Sequence, residues 1–167
     1  LKKPDVAGYF SVSTSYRSEP NPVPGRHDLI FPMFEFECKG DMNDLVELQK
    51  ELLVRLGYNR ELFYENDYTA IADEFGVKEL EHEDEERLYK EKSCVAFIKN
   101  FPEFTSPFWN MKRNTENDTG KKVDVILSGM ETFGSAEREN DTEVMRQKFE
   151  TIMDGTYKNK LFELFEE

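Results

Sequence analysis

The chain has 167 residues and a net charge of −13, and 38% of its residues are hydrophobic. This length is enough for one hydrophobic core, and no stretch has the composition of a signal peptide or of a membrane-spanning helix. The acidic charge argues against a broad surface that grips nucleic-acid phosphates. Two cysteines, Cys38 and Cys94, are too few for a disulfide scaffold or a zinc site, so we expect one soluble domain of a reducing cytoplasm without a membrane partner.

Two strands joined by a proline-rich loop are predicted near the start of the chain. Polar and apolar residues alternate over 9–16, and a second strand rich in large residues is expected over 29–37. Three prolines and a glycine between residues 20 and 25 exclude the interior of a helix or a strand. The segment 9–37 is therefore predicted to form a hairpin with an exposed loop.

This hairpin carries side chains that suit a nucleotide. Arg17 and Glu19 follow the first strand, Arg26 and His27 end the loop, and Phe31 begins the second strand. An arginine can bind a phosphate through two hydrogen bonds, a carboxylate can accept from an amino group, and an aromatic ring can stack on a base. The residues alone leave two interpretations open, since charges at the ends of a surface hairpin are often only solvated.

A predicted amphipathic helix follows over 41–56. Four leucines recur at helical spacing between charged residues, and Gly57 supplies a stop signal. We expect this helix to pack against a sheet through these leucines, which are Leu45, Leu48, Leu52 and Leu56.

Residues 59–92 are predicted to form an acidic helical region. A short helix is expected over 68–75, closed by Gly76, and a second, acidic helix over 79–92. The acidic run 81–86, with His82 inside it, is interpreted as a solvated helix face rather than a metal site, because charge runs usually face water.

The last part of the chain predicts strands and then a helix. Short strands are expected over 93–98 and 121–127, a polar turn over 114–122, and a helix over 142–165 that is broken near Gly155. No alternating βαβ units and no glycine-rich phosphate loop are recognised. The prediction is an α+β fold with an antiparallel β-sheet flanked by helices, in which side chains bind any phosphate.

The hairpin resembles motif 2 of the class II aminoacyl-tRNA synthetases. In that family an aromatic residue precedes Arg-x-Glu, a variable loop ends in Arg-His, and a Phe-rich strand ends in Glu-x-Glu. The present chain has YRSE, GRH and FPMFEFE in that order. The resemblance implies that a class II synthetase-like catalytic domain occupies the chain, at least in part.

Two further blocks are similar to the aspartate/asparagine(/lysine) branch of that family. VDVILSGMETFGSAERE at 123–139 is similar to the family's strand and turn with an Asp, a Gly-x-Glu seven residues later, and a small-residue run ending in Arg. KNFPEFTSPFWNMKRN at 99–114 resembles a segment of the asparaginyl enzymes. The region 121–139 is therefore expected to hold Mg²⁺-bound ATP and the amino acid.

The resemblance implies a role for each hairpin residue. Arg17 matches the catalytic arginine that contacts the α-phosphate of ATP and the amino acid carboxylate. Glu19 matches the glutamate that reads the adenine amino group, and Phe31 matches the aromatic residue that stacks under adenine. His27 matches a loop residue near the γ-phosphate, with Arg26 beside it.

The resemblance also implies roles in the strand and turn. Asp124 and Glu131 match the acidic pair that holds Mg²⁺ on ATP, where hard oxygen ligands suit that ion. Arg138 matches the arginine that recognises the side chain of aspartate or asparagine. Taken one at a time, Asp124 is better explained as an edge-strand charge, and Arg138 has Glu137 and Glu139 as alternative partners.

Some parts of the family pattern are not recognised in these 167 residues, notably motif 1, which builds the family's dimer, and motif 3, which supplies a further arginine. We therefore expect 1–167 to be a partial catalytic domain, as a fragment, a processed form or a degenerate homologue, whose parent protein is a homodimer. Three functions stay open: an asparaginyl- or aspartyl-tRNA ligase, an ammonia-dependent asparagine synthetase that needs no tRNA, and a synthetase-like protein without catalysis.

Overall fold

The computed structural model describes residues 5–18, 20–22, 24–25, 28–156 and 158–159. It divides into two compact units, Leu1–Gly40 and Asp41–Glu167. Within the described part of the chain, no helix is both long and apolar enough to cross a membrane. Cys38 and Cys94 are free thiols. The expectation that 1–167 belongs to one catalytic domain stays a prediction.

The smaller unit is the predicted hairpin. Strand β1 (Gly8–Tyr16) pairs antiparallel with β2 (Ile30–Cys38), so both strands are confirmed to within one residue at each end. Directly opposite residues share a face of the hairpin, and neighbours along a strand alternate between faces. One face is therefore aromatic and aliphatic, and the other carries serines beside Met33 and Glu35.

The larger unit contains a four-stranded sheet in the order β3–β4–β5–β6. The strands are β3 (Tyr64–Asp67), β4 (Val95–Phe101), β5 (Gly120–Leu127) and β6 (Met130–Ala136). β4 with β5 and β5 with β6 are antiparallel, which confirms the predicted fold class. β4 and β5 are the predicted strands 93–98 and 121–127 with shifted ends, whereas β3 and β6 are additional.

One connection in this sheet differs from the prediction. β3 pairs parallel with β4, so the chain from β3 through two helices to β4 is a single βαβ crossover, which the sequence did not reveal. The sequence of β3, Tyr-Glu-Asn-Asp, is four residues long and mostly polar, so it gives no strand signal. It also lies inside the region 59–92 that was predicted to be helical.

Among the described residues, three α-helices flank the sheet and a fourth follows it: α1 (Met42–Arg55), α2 (Tyr68–Phe75), α3 (His82–Glu91) and α4 (Thr142–Thr151). Asp41 begins α1 with a capping box, in which its carboxylate accepts from the amides of Asn43 and Asp44. Gly76 ends α2 in the left-handed conformation at φ 70°, where glycine carries little strain. A 3₁₀ turn follows α4 and ends at Gly155, and residues 160–165 of the predicted helix lie outside the described part.

The sheet buries both of its faces, and each face has its own core. On one face β4 and β5 pack against α1 through Val46, Leu53, Phe97 and two valines of β5. On the other face they pack against α2 and α3 through a cluster that includes Ile71, Phe75 and Leu88. The sheet is therefore the middle layer of a three-layer unit.

Helix α1 packs on the sheet as expected, but through a different stripe. The buried residues are Met42, Val46, Gln49 and Leu53, whereas Leu48, Leu52 and Leu56 are exposed and Leu45 lies at the edge of the core. Both stripes have helical spacing, and the more hydrophobic one is not the one that packs. The buried stripe includes a glutamine, whose Nε2 donates to Ser135 Oγ at 2.7 Å.

Candidate functional site

The hairpin places two of the predicted site residues together. The Arg17 guanidinium lies 5.2 Å from the centre of the Phe31 ring, within the range of a cation–π contact. The Arg17 amide donates to the Leu29 carbonyl at 2.9 Å, which extends the pairing of the strands by one step. Arg17 is thereby held at the end of the hairpin, over an aromatic ring.

Phe31 belongs to the polar face of this hairpin. It lies opposite Ser15, whose hydroxyl contacts Met33 Sδ at 3.8 Å, while the aromatic pair Phe10 and Phe34 occupies the other face. An aromatic ring on the polar face, next to a guanidinium, can stack a flat ligand. Three other predicted hairpin residues lie outside the described residues: Glu19, Arg26 and His27.

The larger unit brings the predicted acidic pair together. Asp124 is on β5 and Glu131 is on β6, with a register irregularity between Val125 and Ile126. A Cβ atom built on Gly134, which lies opposite Asp124, would be 2.8 Å from Glu131 Oε1 and 3.6 Å from Asp124 Oδ1. The two carboxylates therefore converge on the space that a side chain at position 134 would fill.

Asp124 is a buried acid, and one of its two carboxylate oxygens has no hydrogen-bond partner. Its residue is 5% exposed, its Oδ2 accepts from Lys122 Nζ at 2.5 Å, and its Oδ1 is buried without a hydrogen-bond partner. Burial, and then the nearby negative charge of Glu131, raise the pKa of Asp124 against the opposing effect of Lys122, and the net result is a pKa of about 7. A buried carboxylate oxygen with no donor indicates a place for a cation.

A cavity of about 200 Å³ opens beside this pair. Its apolar wall comes from Ile98, Phe101 and Ile126, and α2 and the segment after it contribute Tyr68, Glu79 and Leu80. Tyr68 is held there because its hydroxyl accepts from the Leu80 amide at 2.7 Å.

Helix α3 reaches the same cavity through Glu85. Its Oε2 accepts a hydrogen bond from the backbone amide of Glu131 at 3.3 Å. Helix α3 therefore holds the start of β6, where Glu131 lies. Glu85 was interpreted as part of a solvated acidic face, and for this residue the interpretation was wrong. It lies three positions before buried Leu88 and so on the inward side of α3.

Arg138 lies at the other end of β6 and beyond it. Its Nη1 donates to Asn110 Oδ1 at 3.2 Å, and its backbone forms an isolated bridge with Met111. The adjacent Glu137 is engaged by Lys112 at 2.9 Å and Lys121 at 3.0 Å. Arg138 follows Gly134, the residue opposite Asp124, by four positions, roughly 13 Å along an extended strand.

The segment 99–114 is held in shape by the partly buried side chain of Arg113. The Arg113 guanidinium donates to the carbonyls of Pro107 at 2.9 Å and Met111 at 2.6 Å, and it pairs with Glu103. These contacts account for the arginine at position 113 without any bound ligand. Arg113 therefore stabilises the segment whose residues Asn110 and Met111 contact Arg138.

The acidic pair fits a magnesium ion that arrives with a ligand of its own. In the described residues no three His, Cys, Asp or Glu side chains are grouped closely enough to hold a metal alone. Mg²⁺ on nucleotides usually uses one or two protein carboxylates, and phosphate oxygens and waters complete its shell. The orphaned Asp124 Oδ1 beside Glu131 Oε1 matches that donor set.

Sequence reasoning did not identify Lys122, Glu85 or Gly134 as parts of this site. The alternation of β5 could have pointed to Lys122, because it lies two residues before Asp124 and therefore on the same face. Gly134 gives no such signal, since its importance depends on the side chain of Glu131, three residues earlier on the same strand.

A family model for class II tRNA synthetases (D, K and N) matches residues 5–167. No curated protein sequence matches the chain significantly.

Solved structures with the same fold include asparaginyl-tRNA synthetases. The enzyme from Pyrococcus horikoshii, complexed with asparaginyl-adenylate, is 18% identical with a TM-score of 0.73, covering 87% of this chain and 41% of its own. The enzyme from Entamoeba histolytica, also in complex with asparaginyl-adenylate, is 18% identical with a TM-score of 0.74 and covers 88% and 41%. An aspartyl-tRNA synthetase from Entamoeba histolytica has 16% identity, a TM-score of 0.71 and coverages of 92% and 39%. The present chain thus spans about two fifths of the length of these solved chains.

Proposed function

Because this chain belongs to the class II tRNA synthetases (D, K and N), we propose that it is part of the catalytic domain of a ligase that activates aspartate or asparagine with ATP. The observation that carries the proposal is the convergence of Asp124 Oδ1 and Glu131 Oε1 above Gly134. The adenylate-bound asparaginyl enzymes of the same fold agree with this chemistry.

In the proposed reaction an oxygen of the amino acid carboxylate attacks the α-phosphorus of ATP. A new oxygen–phosphorus bond forms, the bond from that phosphorus to the bridging oxygen breaks, and pyrophosphate leaves with the electron pair. No general base is needed, because the attacking carboxylate is already ionised at neutral pH. The catalytic task is therefore to hold the reactants in line and to offset charge.

The hairpin would hold the nucleotide. Arg17 binds the α-phosphate and offsets the charge that builds on it, while Phe31 stacks under adenine. Glu19 accepts from the adenine amino group, and Arg26 with His27 contacts the terminal phosphate. The cation–π contact between Arg17 and Phe31 supports this arrangement, because it keeps the guanidinium beside the ring that would carry the base.

The larger unit would hold the metal and the amino acid. Asp124 and Glu131 would hold Mg²⁺, and that ion would supply positive charge next to the phosphates. Arg138 binds the side chain of the amino acid; its guanidinium is oriented by Asn110, and Lys112 and Lys121 engage the neighbouring Glu137.

For the second step we propose transfer of the aminoacyl group to tRNA by a homodimeric parent enzyme in the cytoplasm. Family membership supports tRNA as the acceptor, and the free thiols Cys38 and Cys94 agree with a reducing compartment. One observation favours ammonia instead. A net charge of −13 gives tRNA little to bind, and an asparagine synthetase that activates the side chain of aspartate needs no tRNA.

The test is ATP–pyrophosphate exchange by the full-length protein, with aspartate and asparagine supplied separately. Exchange with asparagine, followed by transfer to tRNA, supports the tRNA ligase. Exchange with aspartate that yields free asparagine when ammonia is added supports the synthetase. Exchange with neither amino acid would overturn the proposal and leave a non-catalytic relative.

Two substitutions locate the activity in this assay. Arg17→Ala should abolish exchange, because the α-phosphate loses its counter-charge. Arg138→Leu should raise the amino acid KM and leave the ATP KM unchanged. Unaltered exchange in Arg17→Ala, or an unaltered amino acid dependence in Arg138→Leu, would exclude the corresponding role.

A further inference from the structure

Lys122 is fixed beside the acidic pair by two contacts. Its Nζ lies 2.5 Å from Asp124 Oδ2 and 4.1 Å from the centre of the Phe101 ring. The ring is itself buried, and its centre lies 5.0 Å from that of Tyr68. An ammonium held between a carboxylate and an aromatic face has few other positions open to it.

The position of Lys122 decides which oxygens are open to a second cation. It occupies Asp124 Oδ2, so only Oδ1 stays available, and Asp124 cannot grip an ion with both oxygens. Glu131 offers its side-chain oxygen, while the carboxylate of Glu85 accepts from the backbone amide of Glu131. Asp124 Oδ1 and Glu131 Oε1 are thus the two carboxylate oxygens that meet above Gly134.

Lys122 also changes the charge that an ion meets. Asp124 and Glu131 carry two negative charges when ionised, Glu79 and Glu85 line the same cavity, and the ammonium offsets the charge of Asp124, which it contacts. Lys122 therefore repels a divalent ion that approaches Oδ1, the other oxygen of the same carboxylate. The oxygens of a triphosphate bring further negative charge, which offsets the repulsion from Lys122, and they supply further ligands to the ion.

We propose that Lys122 is a positioning residue that reserves one oxygen of Asp124, so that the site binds a divalent cation only as its ATP complex and does not hold the free ion. The inference rests on the proposed function, because it assumes that the nucleotide meets Asp124 and Glu131. It adds that the acidic pair is selective for the nucleotide-bound ion.

The experiment compares the full-length protein with Lys122→Met and Lys122→Arg, and titrates each with Mn²⁺ alone and with Mn²⁺ plus a non-hydrolysable ATP analogue. Mn²⁺ prefers the same oxygen ligands as Mg²⁺, and its electron paramagnetic resonance signal reports the bound fraction. We expect wild type to bind Mn²⁺ alone at least tenfold more weakly than in the presence of the analogue. Lys122→Met should bind Mn²⁺ alone at least tenfold more tightly than wild type, and Lys122→Arg should behave as wild type.

The controls separate this inference from the function on which it rests. Asp124→Asn tests the metal role itself, and unchanged binding of Mn²⁺ with the analogue would remove that role. Lys122→Met leaves the buried Asp124 without its partner, so its thermal unfolding is recorded, and the double variant with Asp124→Asn restores a neutral pair and should lose free Mn²⁺ binding. Equal affinity of wild type and Lys122→Met for free Mn²⁺, or an Lys122→Arg variant that behaves like Lys122→Met, would overturn the inference.

Discussion

The two faces of β5 are built from alternate residues of one strand and differ in kind. Val123 and Val125 are fully buried against α1, in a core without charge. Lys122 and Asp124 point to the opposite face, where the apolar core ends and a cavity with several acids begins. Neighbours along a strand alternate between its two faces. In β5, one residue therefore packs in the core and the next faces the candidate site. Substitutions at adjacent positions should therefore have opposite consequences.

The largest expected effect is on the closed face. Val125→Asp places a carboxylate in an apolar core with no partner, which costs more than about 4 kcal/mol and should leave this unit unfolded. Urea denaturation followed by circular dichroism measures this loss. Asp124→Asn, one residue away, should stay folded, and a Val125→Asp variant as stable as wild type would erase the difference between the faces.

The second effect is a pH dependence that belongs to the open face. The pKa of Asp124 is raised from 3.8 to about 7 in the folded chain, so the folded state holds this proton more tightly than the unfolded state. The contribution to stability is therefore present in full below pH 4 and is lost as the pH rises through about 7. Each pKa unit is worth about 1.4 kcal/mol, so the loss amounts to several kcal/mol.

Asp124→Asn removes this dependence. Its free energy of unfolding should equal that of wild type near pH 4 and exceed it by several kcal/mol at pH 8, when both are measured by urea denaturation in the absence of metal and nucleotide. A constant difference between the two proteins from pH 4 to pH 8 would mean that Asp124 is not held as a buried acid.

The third effect compares Glu131, which would bind the metal, with Glu65, which forms ion pairs with two lysines. Glu131→Gln should change the free energy of unfolding by less than about 0.5 kcal/mol, because the side chain is exposed, and it should lower the affinity for Mg²⁺–ATP at least tenfold. Isothermal titration calorimetry with and without Mg²⁺ measures that affinity.

Glu65→Gln is the matched control for this comparison. Glu65 pairs with Lys50 at 2.5 Å and Lys99 at 2.6 Å, so its loss should reduce stability and leave Mg²⁺–ATP binding intact. If the two variants affected nucleotide binding equally, Glu131 would have no special place in the site.

The smallest effect compares two neighbours on β6. Gly134→Ala brings a methyl group to 2.8 Å from Glu131 Oε1, so this flexible side chain must move and the KM for Mg²⁺–ATP should rise. The free energy of unfolding should change by less than about 1 kcal/mol.

Ser135→Ala, on the opposite face, should do the reverse. It removes the hydroxyl that accepts from buried Gln49, which should cost about 1–3 kcal/mol, and leaves the KM unchanged. Steady-state kinetics and urea denaturation on both variants check the pair, and equal KM values in Gly134→Ala and wild type would count against the convergence of the two acids.

The sequence predicted the parts of the fold that carry strong periodic signals. The hairpin strands, α1, α2 and β5 were found because alternation, helical spacing and glycine stops act locally. β3 was not found, since its four mostly polar residues are a strand only because β4 lies beside them. The prediction of which face of α1 is buried was wrong for a related reason. Gln49 is buried because it bonds to Ser135, which lies 86 residues away in the sequence.

The candidate site shows the same limit. Asp124 and Glu131 were identified through a family resemblance, and the structure brings them together across a β5–β6 irregularity that periodicity does not reveal. Lys122 and Glu85 were not predicted to belong to the site, because a charged residue next to other charges usually faces water. Their importance comes from burial and from contacts with a neighbouring strand or helix, which a local reading of the sequence does not supply.

A crystal of the full-length protein grown with Mn²⁺ and a non-hydrolysable ATP analogue would show whether Asp124 and Glu131 hold the metal of bound ATP. We expect an anomalous scattering peak within roughly 2.5 Å of Asp124 Oδ1 and of Glu131 Oε1. A peak that contacts the nucleotide and lies away from both carboxylates would contradict this expectation.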